Sequence, residues 1–573
     1  MDETAEKAIS PPRRSLLPLA LVLAVILTGV NAVKPLHVDD TTYYLDAAQI
    51  AAHPFDPYGY VLLYFSDPLP ALHVLAPPVA PYWWAAALRL FGDRPLLWKL
   101  WLFPFALLFV ASLGSILRRF APDAAALLLV LLVMSPVFLP GLNLMIDIPA
   151  LALSLTALAL FFRACDGDST TLVVFAGVTA GLAMQTKYTA FLAPALLLAY
   201  ALLQRKIRLG LSAAVVATLV FAAWETALVV RYGESHFLYH AGQGGNSYDT
   251  KLYLLGTLFP ILGGVASWLI LLALTVLRAS RRRLLLAALL LAVPYLLVCF
   301  DWADLSPFDS QPTLSDALFG VVGLVVFLSV AVVAWRVLRP APSEPILSPF
   351  MPRGRIAWFL VFWFALELVG YFVLSPFPAV RRILGLTIAA TLLIGHLANS
   401  SSLEPWRWNV LRGMAVATAL LGLGFSGVDY LEARAEQQAA ETAALRIRQQ
   451  HPDADIWYTG YWGFQFYAEK AGMKQAVPRH PPDDRGLIDL PPSHFRKGDW
   501  LVVPHSAIPQ QYLDFADEDR ELMDEIAIAD PVPLSTLIWY YAGAPPLRHL
   551  RGPRVVVHLF RFKRDLTPRR AID

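Results

Sequence analysis

Long apolar runs constrain this chain more than any other feature of its sequence. Each is roughly as long as the ~20 residues with which an α-helix crosses a bilayer, and 57% of all residues are hydrophobic whereas only 16% are charged. That composition excludes an ordinary soluble globular protein. The runs lie near 16–33, 97–117, 122–140, 148–164, 171–186, 188–204, 209–230, 252–277, 284–300, 317–338, 356–374, 379–397 and 408–427. We therefore predict a polytopic α-helical membrane protein with about 13 transmembrane helices.

Basic residues between the runs indicate which ends face the cytoplasm. An inside N-terminus places 19 Lys and Arg residues in inner segments and nine in outer segments before residue 428. This is the asymmetry that the positive-inside rule describes. The first run follows Lys7, Arg13 and Arg14 and lacks a small-residue cleavage site, so we interpret it as a retained span. The C-terminus is then outside.

Three parts follow from this topology: a cytoplasmic N-terminus at 1–15, a transmembrane module at 16–427 and an extracytoplasmic domain at 428–573. The first outer loop, about 34–96, is too apolar and aromatic for a free loop, so we expect interfacial helices in it. The C-terminal part begins with a helical pattern, Tyr430 to Gln450, before short strand-like runs. Those runs lie near 455–459, 500–503 and 554–560. They predict a small mixed α/β domain.

Charge and cysteine content exclude several classes of function. The formal net charge is +2, from 46 Lys and Arg and 44 Asp and Glu residues, which gives no argument for a nucleic-acid partner. Cys165 and Cys299 are the only cysteines, so neither a disulfide scaffold nor a cysteine-based zinc site is expected.

Acidic residues mark the outer ends of the predicted spans. Asp39 and Asp40 are adjacent, and adjacent carboxylates favour a bound cation or a raised pKa, which suits a general base. Alternatively, one of them caps the following helix, since Asp is a preferred N-cap. Asp147, just before Pro149 at the outer start of a span, leaves the same choice between catalysis and capping.

Three basic residues reach the same predicted membrane face. Lys187 lies between two short runs, where it either snorkels to the interface or binds an anion. Arg381 and Arg382 lie at the outer start of a late span, and arginine pairs bidentately with phosphate. They suit a lipid phosphate or pyrophosphate. The alternative is a contact with anionic lipid headgroups and no chemistry.

Two other segments carry weaker signals. His236 and His240 stand four apart in the loop 232–250, a spacing that suits a metal only in a helix, and the glycines that follow argue against a helix. We interpret this loop as flexible, with a lid as the alternative. The aromatic stretch from Trp457 to Tyr467 suits either sugar stacking or the core of the small domain, and we favour the core.

The order of these motifs resembles the GT-C superfamily of membrane glycosyltransferases. Within it, the chain is most similar to the glycosyltransferase family 39, protein O-mannosyltransferase and aminoarabinose lipid A transferase group. Met145 to Arg163 is similar to that group's second-acid helix, and Gly181 to Lys187 to its Thr-Lys stretch. The resemblance covers most of 15–400 in order and implies a GT-C type fold. It also implies an inverting hexosyl- or pentosyltransferase that moves a sugar from a polyprenyl-phosphate donor to a lipid, glycan or protein acceptor. The expected site of action is the outer face of a bacterial inner membrane.

The resemblance further implies roles for individual residues. Asp39 and Asp40 would supply the base that activates the acceptor, and Asp147 would assist the acceptor. A divalent cation (Mg²⁺, Mn²⁺ or Zn²⁺) serves some members and not others, and Asp40 and Asp147 are its expected ligands here. Lys187 and Arg381 or Arg382 would bind the donor phosphate.

One position departs from the group's pattern. Where the group carries Lys or His directly before a Pro-Pro pair, this chain has Ala76 before Pro77 and Pro78. Either His73, one helical turn earlier, replaces that residue as a phosphate ligand, or the phosphate rests on arginine alone.

A transporter or flippase for lipids or small solutes is the competing function. Transporters place ionisable residues near the bilayer midplane. Glu367 fits that place, whereas Glu225 lies near the outer end of its run. A scaffold that only presents its C-terminal domain is the third alternative.

Overall fold

The structure is a computed structural model that describes residues 15–570 except for eight internal gaps. The gaps are 65–66, 75–76, 243–247, 302–313, 340–352, 400–402, 480–489 and 506–512. The predicted cytoplasmic N-terminus, 1–15, therefore lies outside the described residues except for its last position, as do the glycine-rich residues 243–246 and Ala76.

Helices make up most of the chain, because Ala- and Leu-rich runs favour helix and a helix satisfies its own backbone in lipid. Their bounds are α1 Leu17–Ala32, α2 Asp40–Ala52, α3 Ala71–Val74, α4 Val79–Phe91, α5 Pro95–Leu100, α6 Phe103–Phe120, α7 Ala125–Val133, α8 Asp147–Gly167, α9 Thr170–Met184, α10 Leu192–Leu203, α11 Ile207–Tyr232, α12 His236–Gly242, α13 Tyr248–Val265, α14 Trp268–Val276, α15 Arg281–Cys299, α16 Leu314–Leu338, α17 Arg353–Leu374, α18 Leu384–Asn399, α19 Pro405–Gln450, α20 Trp462–Lys470 and α21 Leu537–Ala542.

The polytopic helical class is confirmed, but the count of about 13 spans is not. Among the described residues, seven helices are long and apolar enough to cross a membrane, or eight if the bent pair α13 and α14 counts as one span. The two halves of that pair meet at 75°. Other predicted runs form shorter helices, such as α1 with 16 residues and α7 with nine. Among the described residues, several of the apolar runs therefore form helices shorter than a full span.

The first outer loop contains the predicted helices and also a hairpin that the sequence did not predict. Strands β1 (Val61–Tyr64) and β2 (Asp67–Pro70) pair antiparallel. Helix α2 packs against α4 and also against α20 of the C-terminal part. Tyr44 of α2 meets the Phe466 ring of α20 edge-on at 5.1 Å. Helix α2 thus contacts both the first outer loop and the C-terminal domain.

A strand-containing C-terminal domain follows α19, and its three predicted strands are confirmed. Helix α19 runs for 46 residues, so the predicted last span and the helix after it are continuous. The strands are β3 Ile456–Tyr458, β4 Lys474–Gln475, β5 Trp500–His505, β6 Leu513–Asp514, β7 Arg520–Ile528, β8 Leu534–Ser535, β9 Arg548–His549, β10 Val555–Phe562 and β11 Arg569–Arg570. Five of them form a mixed sheet in the order β4-β3-β5-β10-β7, in which β3 is parallel to both neighbours and β10 antiparallel to both of its own.

Buried charges join the C-terminal domain to the first outer loop. Asp429 of α19 forms an ion pair with Lys34, and its Oδ2 lies 3.5 Å from the His37 Nε2. Tyr541 of α21 donates a hydrogen bond of 2.9 Å to the same carboxylate oxygen. Asn143, four residues before Asp147, donates a hydrogen bond of 2.9 Å from its Nδ2 to the Tyr541 hydroxyl. We call Lys34, His37, Asp429 and Tyr541 the Asp429 cluster. It fixes the segments that lead into Asp39 and Asp147.

Candidate active site

Five of the predicted site residues meet at one place, which we call the outer charge cluster: Asp39, Asp147, Lys187, Arg381 and Arg382. Arg381 Nη1 donates to Asp39 Oδ2 at 2.5 Å and lies 3.9 Å from Asp147 Oδ2. Lys187 Nζ donates to Asp147 Oδ1. Residues from four separate stretches of chain therefore share one cluster, as the predicted topology required.

Capping does not explain the two acids. Asp39 occupies the N-cap position of α2, yet its side chain makes no capping hydrogen bond. Asp147 is the first residue of α8, behind an N-cap at Ile146 that also lacks a side-chain bond. Both carboxylates contact cations instead, Asp39 with Arg381 and Asp147 with Lys187. The alternative that these acids serve as helix caps is therefore wrong for both residues.

Arg382 is the unpaired cation of the cluster. Within the part of the chain that the structure describes, its guanidinium makes neither a hydrogen bond nor an ion pair, and its Nε is buried without a partner. It packs over the Phe377 ring, 4.8 Å from the centroid. Burial, and next the adjacent Arg381 charge, lower the pKa of Arg382 to about 10. An anion would relieve this unfavourable charge.

Its neighbour Arg381 is in the opposite situation. Burial disfavours its charge, but Asp39 and then Asp147 outweigh burial and raise the pKa of Arg381 above its usual range. Both arginines lie on one 3-10 turn, Val380–Arg382, where consecutive side chains point in different directions. One therefore holds the acids while the other stays available to a ligand.

A cavity opens from the cluster between α8, α10, α17 and α18. Asp147, Lys187, Arg381 and Arg382 line its polar end. The rest is mostly apolar, with the lining residues Leu151, Leu155, Leu158, Leu192, Leu196, Trp363, Leu374, Leu384 and Ile388. A charged mouth on an apolar channel suits an amphiphile with an anionic head.

Glu367 lines this cavity as well, which the sequence analysis did not foresee. Its Oε1 accepts a hydrogen bond of 3.1 Å from Trp363 Nε1. The sequence alone connects Glu367 only with transport. Two spacings in the sequence are consistent with this position. Glu367 lies one helical turn after Trp363 on the same helix face, and two turns before the end of α17, which a short loop joins to Arg381.

Asp40 and His73 lie away from the cluster. The Asp40 side chain is fully buried and its Oδ2 lies 3.2 Å from Lys99 Nζ and 3.4 Å from His37 Nδ1. Burial opposes its charge, but Lys99 and His37 hold the pKa of Asp40 below its usual value. His73 Nε2 lies 2.6 Å from Glu234 Oε1, and its ring stacks on Tyr239 at 3.8 Å. Neither Asp40 nor His73 lines the cavity.

The predicted divalent cation stays a prediction that these residues do not favour. Among the described residues, no three His, Cys, Asp or Glu side chains gather as metal ligands. Asp40 and Asp147 belong to different clusters, and each already faces a lysine. The donor set therefore does not fit a metal, and the mechanism below uses none.

Two weaker expectations are also decided. His236 begins helix α12, so the predicted loop is helical there, but its Nδ1 is hydrogen-bonded to the Tyr188 hydroxyl at 2.5 Å.

Tyr458 and Phe464 of the aromatic stretch are completely buried. The interpretation of that stretch as domain core is therefore confirmed for them.

Comparison with known proteins supports the resemblance. Residues 76–229 match the family described as dolichyl-phosphate-mannose-protein mannosyltransferase. The chain is thus similar to GT-C superfamily glycosyltransferases. The match includes Asp147 and Lys187, whereas Asp39, Arg381 and Arg382 lie outside it. None of the curated proteins matches significantly.

Solved structures give weaker likenesses. An oligosaccharyltransferase from Archaeoglobus fulgidus in the apo form is 16% identical with a TM-score of 0.46, over 81% of this chain and 64% of its own. This chain thus spans slightly less than two thirds of that protein. ArnT from Cupriavidus metallidurans bound to undecaprenyl phosphate is 17% identical with a TM-score of 0.45, over 95% of this chain and 97% of its own.

The two arginines give a matched test of the cluster. Arg381→Gln is expected to destabilise the fold by about 3 kcal/mol, the low end for a buried pair, because it leaves the partly exposed Asp39 carboxylate without its partner while Asp147 keeps Lys187. Arg382→Gln removes an unpaired buried charge and is expected to leave the thermal unfolding midpoint unchanged or raise it. Thermal unfolding in detergent measures both. Equal destabilisation by the two substitutions would contradict the assigned pairing.

Proposed function

We propose that the protein is an inverting glycosyltransferase that moves a sugar from a polyprenyl-phosphate donor to a lipid, glycan or protein acceptor at the outer face of the membrane. The observation that carries this proposal is the unpaired Arg382 at the charged mouth of an apolar cavity between helices. The family match at residues 76–229 supports the same class of reaction.

The donor would occupy both the charged and the apolar part of the cavity. Its phosphate would meet Arg382 and Lys187, and its prenyl chain would lie along the apolar walls of α8, α10, α17 and α18. The cluster holds three cations and two carboxylates, so an anionic phosphate neutralises the remaining charge. Arginine offers a fork of N–H donors to phosphate oxygens, and lysine a point charge.

Asp39 is the proposed general base. Its side chain is 29% exposed, so an acceptor can reach it, whereas the Asp147 side chain is only 5% exposed. Arg381 fixes its orientation through Oδ2 and leaves Oδ1 for an acceptor hydroxyl. Asp147 would act through Arg381 and Lys187 by holding both cations in place.

Single displacement accounts for inversion. Asp39 takes the proton of the acceptor hydroxyl while the hydroxyl oxygen attacks the anomeric carbon. The bond between that carbon and the phosphate oxygen breaks with its electron pair, and polyprenyl phosphate leaves. Arg382 and Lys187 stabilise the charge that grows on the leaving phosphate, which is the larger part of such catalysis.

Transport is the second candidate, because Glu367 lines the same cavity. A lipid or solute carried past Arg382 and Glu367 would also explain an amphiphilic cavity. The two functions differ in their dependence on Asp39, which a transporter does not require as a base.

Asp39→Asn is expected to lower the rate of sugar transfer at least about 100-fold, because it removes the base. The purified protein is given undecaprenyl-phosphate sugars of several kinds, with and without EDTA, and released undecaprenyl phosphate is measured. Asp93→Asn is the control, since Asp93 is an exposed acid of the same loop paired with Lys470 at 3.0 Å. Full activity of Asp39→Asn would contradict the proposal, and flux that needs Glu367 but not Asp39 would favour transport.

Donor affinity is expected to fall as the pH rises through about 8. Burial lowers the pKa of Lys187 to about 8, although the Asp147 carboxylate opposes that shift. The protonated amine binds phosphate and the neutral amine does not, so the donor KM rises by up to about tenfold per pH unit above that value. Lys187→Arg keeps its charge and should give a flat profile over the same pH range. The same slope in both proteins would contradict the role of Lys187.

A further inference from the structure

Glu225 is a buried acid for which the proposed mechanism gives no role. It stands near the outer end of α11, and only 8% of the residue is exposed. Ionisable side chains in membrane helices are costly to bury, and they generally mark a functional part of a protein. The hydrogen bonds that Glu225 accepts therefore indicate which parts of the molecule it serves.

One oxygen of Glu225 holds the beginning of α12. Its Oε2 accepts hydrogen bonds of 2.7 Å from the Ser235 hydroxyl and 3.1 Å from the Phe237 backbone N–H. The Ser235 Oγ in turn accepts a hydrogen bond of 3.1 Å from the Leu238 N–H. The first N–H groups of a helix have no partner within that helix, so Glu225 and Ser235 supply partners for them. Helix α12 is thus fixed to α11.

The other oxygen of Glu225 holds the residue that ends α9. Gln185 Nε2 donates a hydrogen bond of 3.3 Å to Glu225 Oε1 and one of 3.0 Å to the Phe221 carbonyl oxygen. The Gln185 carbonyl oxygen accepts a hydrogen bond of 3.2 Å from the Val79 N–H at the start of α4. Because Gln185 lies two residues before Lys187, α11 and α4 fix the chain directly ahead of that lysine.

Helix α12 also contacts the residue that follows Lys187. His236 Nδ1 is hydrogen-bonded to the Tyr188 hydroxyl at 2.5 Å, and the His236 ring stacks on Tyr58 of the first outer loop at 5.3 Å. Lys187 itself has an extended backbone, with φ −160° and ψ 133°, between α9 and the 3-10 turn Tyr188–Phe191. Contacts of α11 and α12 therefore fix the chain on both sides of the lysine.

A lysine fixed in this way suits the role proposed for it. Lysine carries a point charge on a flexible four-carbon stem, so the place that its charge can reach depends on where its backbone stands. Asp147 pairs with the ammonium group of Lys187, and the side chain lines the charged end of the cavity. The neighbours Gln185 and Tyr188 anchor the backbone from which that side chain starts.

We propose that Glu225 and His236 are positioning residues for donor binding. Through Gln185 and Tyr188 they hold Lys187 where it meets the donor phosphate. The inference rests on the proposed function, because it takes a polyprenyl phosphate as the ligand of the lysine. Among the described residues that line the cavity, neither Glu225 nor His236 is present, so both act through Lys187 and not by contact with the donor.

The test measures the Kd of undecaprenyl phosphate for the full-length protein in lipid nanodiscs. Glu225→Gln keeps the size of the side chain but replaces one acceptor oxygen with an amide group that cannot accept hydrogen bonds. It is expected to raise the Kd about tenfold, as one buried donor left without its partner implies. Tyr188→Phe removes only the hydroxyl bonded to His236 and is expected to raise the Kd as well. Wild-type affinity in Glu225→Gln overturns the proposal.

A double-mutant cycle separates positioning from a general loss of stability. A Lys187→Ala background has no lysine to position, so Glu225→Gln should cause no further loss of affinity there. An effect of Glu225→Gln of the same size in both backgrounds overturns the proposal. Ser169→Ala is the matched control, because it removes the cap at the other end of α9, where Ser169 Oγ accepts a hydrogen bond of 3.4 Å from the Leu172 N–H. It should leave the Kd unchanged.

Hydrogen–deuterium exchange distinguishes this inference from the proposed function, since it needs no donor. The backbone amides of residues 185–191 should exchange faster in Glu225→Gln than in wild type, and at the wild-type rate in Ser169→Ala. Unchanged exchange in Glu225→Gln overturns the inference. If the wild-type protein fails to bind undecaprenyl phosphate while exchange is faster in Glu225→Gln, the proposed function is wrong and the hold of Glu225 on the lysine is retained.

Discussion

Asp429 is the carboxylate on which the arrangement of the site depends. It stands on the long helix α19, yet its partners Lys34, His37 and Tyr541 come from the first outer loop and from α21. All of this charge is buried, and a buried ion pair that loses one partner is strongly destabilised. These contacts therefore tie the position of the first loop to the C-terminal domain. Because α21 also contacts the Val380–Arg382 turn, one small helix touches the structures that carry the acids and the arginines.

Adjacent acids have different uses in this protein. Asp40 turns inward to Lys99 and His37 and extends the buried network, while Asp39 turns outward to Arg381. One residue of helical rotation, about 100°, accounts for the divergence. The adjacent arginines behave in the same manner, since Arg381 neutralises carboxylates and Arg382 faces the cavity. Each pair thus combines a residue with a structural contact and a residue with a proposed role in transfer.

The sequence predicted the class of the protein and the meeting of five site residues, because run length, loop charge and span order together place residues on a membrane face. It did not predict the short or bent helices, since a run such as that of α7 is apolar over more residues than become helical. Asp40 and Asp39 could not be told apart, because side-chain direction at a helix start depends on tertiary partners.

Direct visualisation of a donor lipid tests the central claim most sharply. The measurement is a cryo-EM map of the full-length protein in lipid nanodiscs with undecaprenyl phosphate added. The account predicts headgroup density within hydrogen-bond distance of Arg382 and Lys187, continuous with chain density between α8, α10, α17 and α18. Headgroup density beside His73 and Glu234, with the cavity between those four helices empty, would contradict it.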